Sequence, residues 1–335
     1  MTLPTTALGS TGPRVGVQGL GCMGMSEFYG PSDPAECRRT LDRALELGVT
    51  MFDTADCYGH GHNEELLSRF VPANRDRVVI ATKFGLVRKA DDPHYRGIDN
   101  SRAFLRRSVE ASLRRLAVDA IDVYYAHRLD PNVPVEDTVG AMAELVVEGK
   151  IRHLGLCEVT GAQLRAAYAV HPIAAVQSEW SLFTRDVEIS TVPVAAELGV
   201  ALVPFSPLGR GFLTGSFASA DELSADDFRR YMARFTGQNA RHNTALLAPM
   251  DEIAVARGVT PGQVALAWVH QRASVHGLPV VPIPGTRHRT RLVENAAATA
   301  MVLTPGEATT LAGIYEQVVG HRLAGLNFDA DKASG

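Results

Sequence analysis

The chain has 335 residues, of which 46% are hydrophobic and 21% charged, as in a folded protein with a large core. A net charge of −4 gives no basic excess for a polyanion, so we expect no nucleic acid partner. Four widely spread cysteines argue against a disulfide framework or a metal site. The sequence shows no basic leader and no apolar run of about 18 residues, so we expect a cytoplasmic protein with no membrane partner.

Short β-branched runs alternate with amphipathic stretches along the chain. After a hairpin over residues 5–17, the pattern predicts eight strands: Gln18–Leu20, Met51–Asp53, Val78–Lys83, Ile121–His127, Arg152–Leu156, Ala174–Gln177, Ala201–Phe205 and Val280–Ile283. The predicted helices are Pro34–Leu47, Asn63–Phe70, Ser101–Leu116, Val135–Glu148, Thr160–Val170, Ile189–Leu198, Thr244–Gly258, Thr260–Arg272, Arg289–Ala298 and one that starts at Thr304.

This alternation predicts an α/β fold. Apolar strands that alternate with helices form parallel sheets covered by helices, and eight such units favour closure into a (β/α)8 TIM barrel. We expect a single domain over residues 1–335, with the barrel core at about 15–320. The longest irregular stretch, residues 207–243, follows the seventh predicted strand, and a connection of this length predicts a lid over the strand ends.

Polar side chains stand at the ends of three successive predicted strands. Asp53 ends the first, with Tyr58 shortly after it, and Lys83 and His127 end the next two. In a barrel the carboxyl ends of the strands form one rim, where catalytic residues lie. A tyrosine can donate a proton at neutral pH when a neighbouring cation stabilises its anion, and Lys83 held by Asp53 would provide that cation. The group suits protonation of a carbonyl oxygen while another agent delivers hydride.

Each of these residues has another interpretation when taken alone. Asp53 can cap a turn, and Tyr58 can pack on the barrel as a loop aromatic. Lys83 can be a solvated strand end, and His127 a hydrogen-bonded core histidine. The joint pattern at one rim favours the catalytic interpretation.

Long, ordered motifs make the chain resemble the aldo-keto reductases, (β/α)8-barrel oxidoreductases that use NADPH. The motifs are QGLGCMGMS, FDTADCYGHGHNEELL, ATKFG, YYAHR, VQSEWSLF, VPFSPLGRGFL and PIPGTRHRTRLVEN, which span nearly the whole chain. The resemblance implies that Asp53, Tyr58, Lys83 and His127 are the catalytic tetrad. It also implies a small-molecule aldehyde or ketone as substrate, with Tyr58 as the general acid.

The same resemblance implies an NADPH site. Phe205 stacks on the nicotinamide, and Gln177 binds its carboxamide. The pyrophosphate lies along the segment that contains Ser206, Pro207, Leu208, Gly211 and Phe212. Thr286, Arg287 and Arg291 bind the 2′-phosphate, which favours NADPH over NADH, and Glu294 and Asn295 bind the adenine. The other positions assigned to the cofactor are Gly21, Cys22, Met23 and Asp53. Taken alone, Phe205 can instead be an aromatic residue that points into the barrel. The segment GTRHRTRLVEN can instead be the solvated, basic start of a helix.

Two departures from the family pattern bear on the cofactor. Cys157 and Glu158 stand where many members have a Ser-Asn pair that contacts the carboxamide. We assign both to the cofactor site and leave open whether they bind the carboxamide. Gly285 stands where several members have a lysine, and Arg287 is its expected substitute.

The substrate pocket is assigned to Phe28, Tyr29, Phe84 and Trp180, which can equally be core residues. Two other functions stay open at this point. A strand-end Lys83 also suits a Schiff-base aldolase, although the GTRHRTRLVEN segment argues against it. An NADPH-binding regulatory subunit without turnover is the second, because the β-subunits of potassium channels resemble this family.

Overall fold

The strands that alternate with helices form one parallel sheet in the computed structural model, which describes residues 2–89, 91–92, 95–225 and 227–322. The strands are β1 Thr5–Ala7, β2 Arg14–Gly16, β3 Leu20–Gly21, β4 Met51–Asp53, β5 Val79–Phe84, β6 Leu86–Val87, β7 Gly97–Ile98, β8 Ile121–Ala126, β9 Ile151–Cys157, β10 Ile173–Glu179 and β11 Ala201–Phe205. Seven of them form the main sheet in the order β11-β10-β9-β8-β5-β4-β3. The sheet curves into a nearly closed barrel, so the predicted (β/α)8 fold is confirmed.

The helices follow the strands as the alternation predicts. They are α1 Pro34–Glu46, α2 His62–Leu67, α3 Phe70–Ala73, α4 Arg102–Leu116, α5 Val135–Val147, α6 Gly161–Val170, α7 Val187–Leu198, α8 Gly237–Ala245, α9 Ala248–Arg257, α10 Pro261–His276, α11 Arg289–Ala297 and α12 Pro305–Ala312. Capping boxes at Thr160, Thr260 and Thr304 fix three of the starts, since each threonine accepts a main-chain bond and the residue three positions later bonds back. None of the helices within the described ranges is long and apolar enough to span a membrane.

The predicted eighth strand, Val280–Ile283, is reduced to isolated bridges. One bridge joins Val280 to Leu202 and another joins Gly285 to Gly21. The segment still lies between β11 and β3, because Ile283 N donates to Pro204 O and Gly19 N donates to Pro282 O, both at 3.0 Å. Prolines at positions 279, 282 and 284 have no N–H group and cannot continue a ladder.

The predicted hairpin is confirmed, because β1 and β2 pair antiparallel. Leu8 and Val15 of the hairpin region are completely buried in one cluster with Met51, Ala81 and Val123 of the barrel strands. The hairpin therefore covers the amino-terminal end of the barrel, opposite the carboxyl rim.

Two predicted elements differ from the structure. The stretch at 207–243 contains short 3₁₀ turns, and α8 begins inside it at Gly237, so only part of it is irregular. The single helix predicted over Thr244–Gly258 is instead divided between α8 and α9. A cluster of Phe183, Phe212, Phe217 and Phe235 holds this region against the barrel. The predicted domain limits include residue 1 and residues 323–335, which lie outside the described residues.

Candidate active site

Lys83 lies at the centre of the polar cluster at the carboxyl rim. Its Nζ donates to Asp53 Oδ1 at 2.5 Å, to the main-chain oxygen of Thr54 at 2.7 Å and to Tyr58 Oη at 3.3 Å. Strand register explains this arrangement, because β4 and β5 are neighbours and both end at the same rim. The three donors of the ammonium group are thus used by a carboxylate, a carbonyl and the phenol.

Burial acts on both members of the Lys83–Tyr58 pair. Burial alone would lower the pKa of Lys83, but the Asp53 carboxylate outweighs it and the pKa of Lys83 is raised. Burial raises the pKa of Tyr58, and the charge of Lys83 offsets only part of this effect. Burial also raises the pKa of Asp53, against the opposing effects of Lys83 and of a hydrogen bond from Gln177. The cluster therefore holds a charged lysine beside a protonated phenol.

His127 completes the group that the sequence predicts. It directly follows β8, and its ring centroid lies 5.8 Å from that of Tyr58, edge to face at 84°. Its Nδ1 is 3.7 Å from Cys57 Sγ. Burial, Lys83 and Arg128 hold the pKa of His127 well below its usual range, so the imidazole is neutral. Burial raises the pKa of Cys57, which keeps this thiol protonated. All four predicted catalytic residues therefore lie together.

The residues assigned to the carboxamide lie beside this cluster, at the ends of β9 and β10. Gln177 is buried, and its Nε2 donates to Asp53 Oδ2 at 2.7 Å. The carboxylate of Glu158 accepts from Glu179 N at 2.7 Å and from Arg322 Nη2 at 2.5 Å. Burial raises the pKa of Cys157 to about 12. Glu158 is thus engaged in an ion pair with a residue near the end of the described chain.

The structure separates the four residues assigned to the substrate pocket. Phe28 and Tyr29 are half-buried in a turn at the rim, where the Phe28 ring lies 5.3 Å from that of Phe228. Phe84 is completely buried and stacks on Tyr124 at 5.3 Å. Trp180 is also completely buried, and its Nε1 donates to Glu188 at 2.9 Å. Phe84 and Trp180 therefore lie in the core, whereas Phe28 and Tyr29 lie at the rim, so the structure does not bring the four residues together.

A comparison of the sequence with protein families decides the classification. The model of the Aldo/keto reductase family matches residues 19–316, which include every residue of the polar cluster.

The chain belongs to the aldo/keto reductase family.

Solved structures agree with this membership. The glycerol dehydrogenase AKR11B4 from Gluconobacter oxydans has 27% sequence identity and a TM-score of 0.83, with 94% of this chain and 95% of that chain covered. The thermostable aldo-keto reductase Tm1743, solved with the inhibitor epalrestat, has 29% identity and a TM-score of 0.72 over 93% and 100% of the two chains. The aldo-keto reductase AKR11C1 from Bacillus halodurans shares the fold at 24% identity and a TM-score of 0.73, over 97% and 99%.

The family membership establishes the general reaction. This aldo-keto reductase is an oxidoreductase that acts on small-molecule carbonyl compounds, and enzymes of its family use NAD(P)H.

The segment after β11 has an unusual main-chain conformation in this aldo-keto reductase. Phe205 is half-buried at the strand end, and Ser206 follows it with a φ of 49°. Gly211 has a φ of 93°, which glycine adopts without strain. The side chain of Phe212 is completely buried in the aromatic cluster, so only its main chain is accessible to a ligand. Pro207 and Leu208 lie between these residues, at the start of the 3₁₀ turn Gly209–Thr214.

The end of β3 and the end of the eighth segment form the neighbouring part of the rim. Gly21 and Gly285 are bridged, and a Cβ on Gly21 would lie 2.9 Å from the main-chain oxygen of Ile283. Cys22 is completely buried, and its carbonyl accepts from Asn63 Nδ2 at 2.9 Å. Met23, which follows, begins a short 3₁₀ turn and is half-buried. Glycine at both bridge positions lets the two chains approach closely.

The residues assigned to the adenosine phosphate lie before and within α11. Arg291 is exposed, and Thr286 is half-buried. Arg287 instead donates to three main-chain carbonyls of the turn that contains Tyr29, so its donors are used within the protein. Glu294 Oε1 accepts from Thr260 Oγ1 at 2.6 Å, and Asn295 is buried. The predicted group is thus divided between exposed and internally bonded side chains.

Several residues of the site were not selected from the sequence. Asn63 is completely buried and joins the loop after β4 to the preceding loop after β3: its Oδ1 accepts from Thr54 Oγ1, and its Nδ2 donates to Ser26 Oγ, both at 2.7 Å. Arg88 and Glu27 form an ion pair at 2.6 Å beside the Phe28 ring. A polar NEE run at a helix start was the available signal for Asn63, but no local pattern identifies the Arg88–Glu27 pair.

Proposed function

We propose that the chain catalyses the reversible reduction of an aldehyde or ketone by NADPH, with Tyr58 as the general acid. The observation that carries this proposal is the contact of the Lys83 ammonium with both Asp53 and Tyr58 Oη. A cation beside the phenol stabilises the phenolate that remains after proton transfer. Lys83 keeps that charge because Asp53 and Thr54 hold two of its donors.

His127 orients the carbonyl in this proposal. The Cys57 thiol is a hydrogen-bond donor, and the nearest acceptor on His127 is Nδ1. A neutral imidazole that accepts at Nδ1 carries its hydrogen at Nε2. We infer that Nε2 donates to the carbonyl oxygen, so that His127 and Tyr58 both bond to the atom on which negative charge develops.

The donor set at the rim fits a nicotinamide dinucleotide, which supplies a hydride when bound. Gln177 has an amide suited to the carboxamide, and Phe205 offers a half-buried ring at the strand end. The segment Ser206–Phe212 provides closely spaced left-handed residues whose main-chain N–H groups suit the pyrophosphate. Glu294 and Asn295 suit the adenine. Gly21, Cys22, Met23 and Gly285 lie between these groups, and Asp53, Cys157 and Glu158 lie near the carboxamide position.

We assign the preference for NADPH over NADH to the start of α11. Arg291 is exposed one turn into the helix, and Thr286 lies just before it. A guanidinium, a hydroxyl and a helix amino terminus together favour a phosphate group.

The substrate and the location of the protein belong to the same proposal. Phe28 and Tyr29 at the rim suit an aldehyde or ketone with an apolar body, and the loop from residue 207 to α8 lies beside them through Phe228. The four cysteines are buried, with no disulfide among the residues that the structure describes. Reduced thiols fit the cytoplasm, which we propose as the location.

The contacts of Lys83 argue against a Schiff-base aldolase. A Schiff base requires a neutral amine, whereas Asp53 raises the pKa of Lys83 and all three ammonium donors have partners. A regulatory subunit without turnover remains the second candidate. A regulatory subunit would bind NADPH but would consume none of it with a panel of diverse aldehydes and ketones, whereas a reductase would consume it.

The test of the catalytic assignment is Tyr58→Phe. We expect carbonyl reduction to fall by about three orders of magnitude, because the proton donor is lost while the ring is retained. The dissociation constant of NADPH, measured by calorimetry, should change by less than about twofold, since the hydroxyl donates to the substrate. Wild-type turnover with NADH, measured alongside, tests the nucleotide preference. Near-normal reduction by Tyr58→Phe would refute the role of Tyr58.

A further inference from the structure

The guanidinium of Arg287 binds one turn of the chain by its main-chain oxygens. Nη2 donates to Tyr29 O at 2.7 Å, and Nη1 donates to Gly30 O at 2.9 Å and lies 3.5 Å from Gly24 O. The main chain of Arg287 is held as well, because Thr40 Oγ1 donates to its carbonyl at 3.2 Å. The planar fork of a guanidinium suits such a set of neighbouring acceptors, and an ammonium group does not reproduce it.

This turn, residues 24–30, contains two residues in the left-handed region of main-chain conformation. Phe28 has a φ of 74° and Gly30 a φ of 77°. A bulky residue such as Phe28 is disfavoured in the left-handed region and stays there only when its surroundings fix it. The Arg287 contacts fall on Tyr29 and Gly30, directly after Phe28, and therefore fix the segment where the strain lies.

The turn 24–30 packs directly on the catalytic loop. Ser26 Oγ lies 2.9 Å from His62 Nδ1, and a Cβ on Gly59 would lie 3.2 Å from Ser26 Cβ. On the opposite side, the Phe28 ring contacts Phe228. A shift of the turn would thus move Phe28 and Tyr29 relative to Tyr58, which immediately precedes Gly59.

Arg291 differs from Arg287 in its surroundings, although the two lie four residues apart. Arg291 is exposed and has no hydrogen-bond or ion-pair partner within the described ranges. Its guanidinium can bind a phosphate without breaking an internal contact. Arg287 would have to release carbonyl oxygens of the turn to do the same.

We propose that Arg287 is a positioning residue for the carbonyl substrate, which fixes the turn 24–30 beside Tyr58. This inference rests on the proposed function. It assigns to Arg287 a role in substrate binding in place of the phosphate contact that the sequence suggests.

Three variants test the proposal: Arg287→Gln, Arg287→Lys and Arg291→Gln. With 4-nitrobenzaldehyde as the probe at saturating NADPH, we expect both Arg287 variants to raise the KM of the aldehyde by about tenfold, because hydrogen bonds from a charged donor are lost. The ratio of the NADPH and NADH dissociation constants, measured by calorimetry, should stay within about twofold of wild type. Arg291→Gln should instead weaken NADPH by about tenfold and leave NADH unchanged.

Arg287→Lys distinguishes phosphate binding from positioning of the turn, because lysine keeps the positive charge but lacks the planar guanidinium with its several donors. If Arg287 bound the phosphate, lysine would retain most of the NADPH affinity and the aldehyde KM would be unchanged. If Arg287 positions the turn, lysine should resemble glutamine in the aldehyde KM. Thermal unfolding of each variant verifies that it is folded.

A readout independent of turnover is amide hydrogen exchange. Both Arg287 variants should exchange residues 24–30 faster than wild type without nucleotide, and Arg291→Gln should not. A selective loss of NADPH affinity in Arg287→Gln, with unchanged exchange of the turn, would overturn the proposal. If no carbonyl is reduced by wild type, the proposed function fails, while the exchange and the nucleotide ratios still decide the role of Arg287.

Discussion

Tyr58 and Lys83 show how burial and a neighbouring charge set the protonation of the proposed general acid. Burial works against the phenolate, and the Lys83 charge only partly relieves this effect, so the phenol keeps its proton well into the alkaline range. The direction of this pKa shift suits reduction, in which Tyr58 must carry a proton. It disfavours the reverse oxidation, in which Tyr58 must accept one.

The pH dependence of the two directions follows from that sign. We expect kcat/KM for carbonyl reduction to be constant between about pH 6 and 9, because Tyr58 stays protonated and His127 stays neutral over this range. Alcohol oxidation should rise with pH over the same interval, since only the deprotonated phenol accepts the proton. Steady-state rates in both directions provide the check. A decline of reduction between pH 7 and 8 would contradict the raised pKa of Tyr58.

The sequence predicts that the polar residues at the strand ends lie together, for a physical reason. Asp53, Lys83 and His127 are polar at the ends of apolar strands, and parallel strands bring their carboxyl ends to one rim. The surroundings of the Phe84 and Arg287 side chains do not follow from the sequence pattern. Phe84 alternates with Lys83 along β5, and its ring lies on the helix side of the barrel among core residues. Arg287 meets a turn that lies more than 250 residues away in the chain, which no local pattern reveals.

At the scale of elements, strand prediction failed where proline replaced hydrogen-bond donors. The eighth segment has an apolar, β-branched composition that predicts a strand, and it does occupy the eighth position between β11 and β3. Its prolines remove donors at every second or third residue. Helix starts were predicted more reliably, since Thr260 and Thr304 have local capping boxes that depend on neighbouring residues alone.

Asp122, at the amino end of β8, joins three elements far from the catalytic rim. Its carboxylate accepts from Arg75 at 2.7 Å, from Arg152 at 2.9 Å and from Ile80 N at 2.9 Å. We expect Asp122→Ala to lower the free energy of unfolding by about 3 kcal/mol, because it leaves the half-buried Arg75 guanidinium without its carboxylate partner. Urea denaturation measures this change.

The exposed Asp119 provides the control for this prediction. Asp119→Ala should change the free energy of unfolding by less than about 0.5 kcal/mol. The KM of both Asp119→Ala and Asp122→Ala should match wild type, since β8 separates these positions from the rim. A large change in KM for Asp122→Ala would show that the two ends of the barrel are coupled.

The stability of the whole molecule should depend on Asp56, an acid in the loop after β4 whose Oδ1 is buried. Burial, and next the charge of Glu64, raise the pKa of Asp56 to about 8. The Glu64 carboxylate forms an ion pair with Arg115 at 2.6 Å and accepts from Thr82 Oγ1 at 2.6 Å. The positive charge of Arg115 is therefore already paired with Glu64. Asp56 Oδ1 has no hydrogen-bond partner within the described part of the chain.

The raised pKa of Asp56 means that the folded protein binds a proton that the unfolded chain releases near pH 4. The contribution of Asp56 to stability should therefore fall as the pH rises from about 4 to about 8. In Asp56→Asn this loss is absent, and the fall in the free energy of unfolding between pH 6 and 9 should be smaller than in wild type by about 2 kcal/mol. The exposed Glu65→Gln is the control. Parallel pH profiles for wild type and Asp56→Asn, from urea denaturation, would disprove the prediction.

The isolated bridges of the eighth segment give the barrel a seam. Seven strands are joined by continuous ladders, whereas Val280 and Gly285 meet their neighbours through single bridges. A barrel opens first where its strands are joined by the fewest hydrogen bonds, so transient opening of this barrel should begin on either side of the eighth segment. The segment leads directly into the residues proposed for the adenosine phosphate. A dinucleotide that contacts both this segment and β11 would connect the two sides of the weak joint. Its binding would then stabilise the closed barrel in addition to providing the hydride.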